Sequence, residues 1–511
     1  PARPRVSLAR TWAISLVGIE GVAVEVEADL SDQLPDFRII GLADRALGES
    51  SQRVRNACAN SDVPLPSRRL TVNLSPASLP KHGSGFDLAI AVAALATQLP
   101  ISADALIRTA HIGELGLDGR LRPVPGILPA VMAAARAGLE TVVVPRASED
   151  EAALVPGITV VGATSLGDVL SRHGIDARIP EADPVDASAD GDAAEETLDL
   201  ADVVGQDEAV AAVLVAAAGG HHLLMTGPPG AGKTMLARRI PGILPPLDDD
   251  AALSAASIRS LSGSAVTHLS RIPPFEAPHH SASAAALVGG GTRAPRPGAI
   301  VRASEGVLFL DEAAEFATTV LDALRQPLES GRITVHRAGY TASFPARFQL
   351  VLATNPCPCG NRGLRDAVCE CPSQAIRRYQ NRLSGPLLDR VDIELTLLRV
   401  GRVPEARGAL DSTRARALVV DARNRAARRL SDTPWRRNAD VPGTWLRSGA
   451  GALPPGVRAP LDAALARGSL TLRGYDRVLR VAWTLADLDG ERMPTPDHIG
   501  RALFLKRGTI S

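Results

Sequence analysis

Gly227, Pro228, Pro229, Gly230, Ala231, Gly232, Lys233 and Thr234 spell a complete G-x-x-x-x-G-K-[ST] phosphate loop. Such a loop wraps backbone N–H groups around a polyphosphate, with its lysine at the β- and γ-phosphates and its hydroxyl at Mg²⁺. Lysine is otherwise nearly absent: among 56 Lys+Arg, lysines stand only at Lys81, Lys233 and Lys506. A compact ammonium fits a backbone cradle that a planar guanidinium does not. Further on, the apolar run Gly306-Val-Leu-Phe-Leu310 leads into Asp311 and Glu312. That order predicts Asp311 sharing Mg²⁺ with Thr234 and Glu312 polarising the attacking water. Phe348-Gln-Leu-Val-Leu-Ala-Thr354 then ends in Asn355, a polar tip that would orient the same water. An acidic pair after a strand is otherwise a solvated turn; three such pieces in order, at domain spacing, predict hydrolysis of a nucleoside triphosphate.

The elements that must hold these residues can be read around them. His222-Leu-Leu-Met-Thr226 predicts a buried strand before the loop, and Met235-Leu-Ala-Arg-Arg-Ile240 a helix after it, stopped by Pro241. The 511 residues, 45% hydrophobic but only 3% aromatic, predict several domains with cores of Ala, Val and Leu. From Pro180 through Asp199 there are eight carboxylates and no basic residue, the composition of a solvated linker. Upstream, short apolar strands (23–28, 69–74, 141–144) alternate with helical stretches (86–99, 128–137). Downstream of about 401 the chain turns helical and Arg-rich, with helices expected over 472–488 and 496–506. The expected division is 1–175, a linker at 176–200, a nucleotidase core at 201–400 and a helical region at 401–511. With no run of 18 apolar residues and no signal peptide, a cytoplasmic protein without a membrane partner is expected.

Four of the five cysteines fall in one window, Cys357-x-Cys359 and Cys369-x-Cys371. In a cytoplasmic chain clustered thiols point to metal, so structural zinc and free thiols are the two readings, the C-x-C spacing being tighter than a usual zinc knuckle. Cys58 stands alone and is expected as a buried small hydrophobe. Net charge is zero, so nucleic-acid contact has to come from loops. Gly289-Gly-Gly-Thr-Arg-Ala-Pro-Arg-Pro-Gly298 offers Arg293 and Arg296, and a hairpin turning near Ala338-Gly339 offers Arg332 and Arg337; merely solvated arginines are the alternative.

With these residues in place, Ser281-Ala-Ser-Ala-Ala-Ala-Leu-Val-Gly-Gly-Gly291, the 306–312 strand and carboxylates, Asn355-Pro-Cys-Pro-Cys-Gly360 and Leu383-Ser-Gly-Pro-Leu-Leu-Asp-Arg-Val-Asp392 resemble the magnesium-chelatase-like AAA+ ATPases of the ComM/YifB group. Gly41-Leu-Ala-Asp44, Val72-Asn-Leu-Ser-Pro76 and Gly113-Glu-Leu-Gly-Leu-Asp-Gly119 are similar to that group's N-terminal domain. The resemblance implies a multidomain α/β fold: a Lon-protease-like (ribosomal S5 domain 2-like) α+β domain, an AAA+ P-loop NTPase with a parallel sheet, and a C-terminal helical lid. It further implies an ATP- and Mg²⁺-dependent homo-hexamer moving on single-stranded or branched DNA without sequence preference, promoting branch migration during natural transformation. Six copies of the two arginine-bearing loops would then line the pore. Arg390 matches the finger that reaches a neighbour's γ-phosphate, a pair with Asp389 or Asp392 of its own chain being the alternative, and Arg473 matches the lid arginine that senses γ-phosphate, with Arg477 and Arg480 as rivals on the same helix. Val203-Val-Gly-Gln206 is expected near the adenine, plain apolar packing being the alternative, and Glu276 stands where the group usually has a basic residue. Against the Lon protease pattern, Gly85 takes the nucleophile position and Leu128 the lysine position, with Ser84 one residue off and Lys81 on the wrong side, so the fold is expected without peptidase activity. A chelatase motor subunit and a protein-remodelling ATPase are the other readings.

Overall fold

The computed structural model describes residues 8–41, 49–79, 81, 83–181, 198–290, 296–337, 340–364, 367–400 and 409–507. Its centre is a five-stranded, all-parallel sheet ordered Phe275–Glu276, Val307–Leu310, Gln349–Thr354, Leu223–Thr226, Ile393–Thr396. Val307–Leu310 and Gln349–Thr354 are buried along their whole length, the near-continuous apolar pattern of a sheet covered on both faces. Register does the positioning. Thr226 pairs with Thr354 and Leu310 with Leu352, so the phosphate loop, Asp311 and Asn355 all leave the carboxyl edge together. Ligands of open parallel sheets bind at that edge.

The helix following the loop spans Lys233–Ile243 and runs through Pro241 instead of stopping before it. Pro241 gives up only its own N–H bond in the last turn, and the helix ends three residues later at Leu244, in extended backbone. The expected stop was therefore early. The C-terminal helices Ser412–Arg429 and Leu472–Asp489 pack with Asp207–Gly219 into one apolar cluster that includes Leu223, Met225, Val351 and Ile393 of the sheet.

The N-terminal region forms a seven-stranded mixed sheet ordered Asp36–Ile40, Arg69–Ser75, Glu20–Ser31, Leu8–Val17, Thr109–His111, Thr141–Pro145, Thr159–Ala163. On it lies the helix Asp87–Ala96, buried at every residue. Cys58 is fully buried, as expected, and burial raises its thiol pKa to about 12. The helices Ile127–Arg136 and Asp249–Leu261 join the two sheets: Ala256 lies in the cluster of Leu128 and Val131, and Ser260 Oγ accepts from Leu128 N at 3.3 Å. Among the described residues no helix is long and apolar enough to cross a membrane.

One buried ion pair ties lid to sheet. Asp392, 2% exposed, accepts from Arg477 Nη1 at 2.5 Å and lies 3.4 Å from His221 Nδ1. Burial alone would raise its pKa, but Arg477, His221 and Arg480 hold it well below the usual carboxylate range. Its stabilisation is thus present above the unfolded-state value of about 3.9 and fades as pH falls below it. Asp392→Ala leaves the mostly buried Arg477 without its carboxylate and with only Arg390 O to bond, and urea unfolding should show a loss of about 3 kcal/mol.

Candidate nucleotide site

The loop reaches its shape through two left-handed glycines, Gly230 (φ +78°) and Gly232 (φ +84°), the second capping the N-terminus of Lys233–Ile243. Residues 229–235 with Asp311, Glu312, Thr354 and Asn355 line a cavity of about 370 Å³. Lys233 Nζ donates to Gly227 O (2.6 Å), Pro228 O (3.1 Å) and Asn355 Oδ1 (3.0 Å). Burial lowers its pKa below the ordinary lysine value, opposed by Asp311 and Glu312. Thr234 Oγ1 donates to Asp311 Oδ2 at 2.6 Å, which brings the two expected Mg²⁺ residues together. A hydroxyl and a carboxylate oxygen converging at a polyphosphate cradle are hard ligands of the kind Mg²⁺ takes, so the residues fit ATP with Mg²⁺.

Glu312 is one of three non-glycine residues described at positive φ (+50°). A glutamate held in the left-handed region costs about 1–3 kcal/mol and such strain clusters at functional sites. Its Oε2 lies 3.1 Å from His280 Nδ1, a partner that the sequence reading left without a role. Gln206 donates to Ala231 O at 2.7 Å and Arg399 to Pro229 O at 3.0 Å, so both brace the loop from outside. Gln206 ends the segment expected near the adenine, and its amide bonds the phosphate loop. Glu276 makes two bonds to Arg302, at 3.0 and 2.9 Å, a structural pairing on the edge strand.

Arg390 and Arg473 do not line the nucleotide cavity of their own chain. They share a separate cleft with Glu329, Asp389, Arg477 and Arg480. Arg390 pairs with Glu329, 61 residues away, and not with Asp389 or Asp392. Burial and the nearby Arg473, Arg477 and Arg325 lower its pKa. Arg473 is exposed and meets Asp389 at 3.1 Å, whereas Arg477 is committed to Asp392 and Arg480 to Val441 O. Of the three lid rivals, Arg473 therefore keeps the most accessible guanidinium. A larger cleft of about 890 Å³ is lined by Arg390, Arg437 and Arg477 among others and by no residue of the phosphate loop.

Of the arginines expected to touch nucleic acid, Arg296 is exposed on Arg296–Pro297, which pairs with Gly289–Gly290, and Arg332 is exposed at the start of the hairpin Arg332–Arg337 with Tyr340–Pro345. Arg337 lies at the end of that hairpin's first strand, while Arg293 lies outside the described residues. In the N-terminal region, Lys81 Nζ is buried on the carbonyls of Gly41, Leu74 and Pro76, Ser84 bonds Glu114, and Leu128 is core. The structure makes no serine–lysine pair of them. The sulfurs of Cys357, Cys359, Cys369 and Cys371 all lie within 4.8 Å of one another.

Magnesium chelatase sequence profiles match three stretches: "subunit ChlI" over 199–403, "Subunit ChlI of Mg-chelatase" over 26–148, and "subunit ChlI C-terminal" over 409–506. The chain is 48% identical to an uncharacterised protein of Mycobacterium tuberculosis (98% of this chain, 99% of the relative). It is 41% identical to competence protein ComM of Haemophilus influenzae (97% of each) and 37% identical to YifB of Escherichia coli (97% and 96%). A shorter likeness, 25% over 171 residues, is to Lon protease of Mycolicibacterium smegmatis. Sheet, phosphate loop and profiles define a magnesium-chelatase-like AAA+ protein. Within that class, the chain belongs to the ComM/YifB family.

Proposed function

We propose that this chain is an ATP-hydrolysing homo-hexameric motor of the cytoplasm that translocates on DNA and promotes branch migration in homologous recombination during natural transformation. The observation that carries the ATPase reading is the convergence of Lys233, Thr234, Asp311, Glu312 and Asn355 on one cavity, with Arg390 facing elsewhere. In this reading, Lys233 and the loop amides bind the polyphosphate, Asn355 orients the attacking water, and Glu312 polarises it and takes its proton. Mg²⁺, held through Thr234 and Asp311, supplies charge neutralisation on the phosphate oxygens. Arg390 completes a neighbour's site, and Arg473, standing beside it, reads the same neighbour's nucleotide. The chain divides at 1–175, 176–200, 201–400 and 401–511, the first part being a Lon-like fold without peptidase activity. Four thiolates at 357–371 hold a structural Zn²⁺.

The DNA part of the reading is supported by likeness to competence protein ComM and by the exposed Arg296 and Arg332 on two hairpins. Arg293 and Arg337 belong to the same proposed pore surface. Grip on phosphates is sequence-independent and weakens with salt. Steady-state ATPase should therefore rise on adding single-stranded or forked DNA, and the half-stimulating DNA concentration should rise at least about tenfold between about 50 and 200 mM salt. Absence of stimulation, from protein shown to hydrolyse ATP and assemble, would shift the reading to a chelatase-type motor subunit or a protein-remodelling ATPase.

A further inference from the structure

The excursion between Asn355 and the helix Ser373–Gln380 has little to hold it. Among its described residues only Cys357 is a buried apolar side chain, Val368 is 82% exposed, and none belongs to an apolar cluster. Yet four sulfurs converge there. Cys357 to Cys359 is 3.4 Å, Cys359 to Cys369 3.7 Å and Cys369 to Cys357 3.6 Å. All are too long for disulfides. One Zn²⁺ with Zn–S of about 2.3 Å places tetrahedral sulfurs about 3.8 Å apart, so the spacing suits a single ion, and four thiolates are a set that Zn²⁺ takes.

The ends of the excursion meet the nucleotide site three times. Cys357 follows Asn355 by two residues, and Asn355 Oδ1 is the acceptor of Lys233 Nζ. On the returning side, Tyr379 of Ser373–Gln380 is hydrogen-bonded to Thr354, and Gln380 Nε2 donates to Pro356 O at 3.3 Å. Gly360 presses on the phosphate loop itself: a Cβ there would lie 2.6 Å from Pro229 Cδ, and its φ is +77°.

We propose that Zn²⁺ bound by Cys357, Cys359, Cys369 and Cys371 positions Asn355 and the Pro229 turn of the phosphate loop, so that ATP turnover depends on the loaded knot while nucleotide binding does not. The inference rests on the zinc reading above and adds a role to it. Without the ion, fifteen residues lose the crosslink that closes them, and their freedom is passed to Asn355 at one end and to Pro229 through Gly360. Lys233 and Thr234 begin the helix Lys233–Ile243 and Asp311 follows Val307–Leu310; the bonds of Lys233 to Gly227 O and Pro228 O and of Thr234 to Asp311 do not pass through the excursion.

The experiment uses the full chain, purified with thiol reductant and added zinc. Metal content, affinity for a fluorescent ATP analogue, thermal unfolding and kcat are measured on wild type, Cys369→Ser/Cys371→Ser and Gly360→Ala. Wild type should carry about one zinc per chain. The double variant should lose the metal and at least about tenfold in kcat, with nucleotide affinity within about threefold. Gly360→Ala should keep its zinc, since the four sulfurs are untouched, and show the same split, because its added Cβ and the strain of alanine at φ +77° are both taken up against Pro229. A wild type that takes up no zinc sinks the metal reading itself. A zinc-free double variant or a zinc-loaded Gly360→Ala with kcat within about twofold of wild type overturns the coupling and leaves the metal site standing. If the double variant unfolds, Gly360→Ala alone decides.

Discussion

Glu312→Gln should bind ATP with near-normal affinity and hydrolyse it about 10²- to 10⁴-fold more slowly, the range expected when a positioned base is removed. The substitution keeps the size of the side chain and a donor or acceptor for His280, 3.1 Å from Oε2. It leaves Lys233, Thr234 and Asp311 in place, so the phosphate cradle and the Mg²⁺ ligands survive. The amide cannot take a proton from water, and only the chemical step should suffer. Because the Glu312 side chain is half exposed, the melting temperature should barely move; surface substitutions stay within about 0.5 kcal/mol. The measurement is single-turnover hydrolysis beside equilibrium binding of a fluorescent analogue. Wild-type turnover would remove Glu312 from the chemistry.

The parts of the site that could be read from sequence are those whose chemistry is contiguous. The phosphate loop is eight adjacent residues, Asp311-Glu312 directly ends an apolar strand, and Asn355 another, so each needed only a local pattern and the rule that parallel strands present ligands at their carboxyl edge. Partners set by tertiary packing were out of reach. Arg390 has two acidic neighbours in sequence, yet its partner Glu329 lies 61 residues upstream across a helix junction. Gln206 could be placed near the nucleotide but not on Ala231 O, because only folding brings the two within 2.7 Å. His280 sits in a stretch read for its neighbour Glu276; no spacing ties it to Glu312, 32 residues on. The lid arginines 473, 477 and 480 lie on one helix at near-turn spacing, and what separates them is Asp392, which claims Arg477 from another element. Pro241 failed as a stop signal for a local reason: at the last turn a proline forfeits one bond, which the helix end tolerates.

Arg390→Ala should lower steady-state turnover about 10³-fold or more, the effect of withdrawing a finger that stabilises transition-state charge, while each chain still binds ATP. The removed guanidinium is mostly buried, paired with the mainly exposed Glu329 and bonded to Pro386 O, so urea unfolding measured beside turnover separates lost stability from lost catalysis. The variant also removes a cation crowded by Arg473, Arg477 and Arg325. What separates a finger acting on a neighbour from an arginine needed within its own chain is mixing. Lys233→Ala chains have a dead loop and an intact Arg390; Arg390→Ala chains have the reverse. In a ring assembled at random from equal amounts, about a quarter of the interfaces join an intact loop to an intact finger, because loop and finger come from different subunits. Two inactive preparations should therefore regain activity on mixing, rising with the time allowed for subunit exchange. If Arg390 acted within its own chain, no mixed interface would be whole, and mixtures shown to co-assemble would stay as slow as their parts.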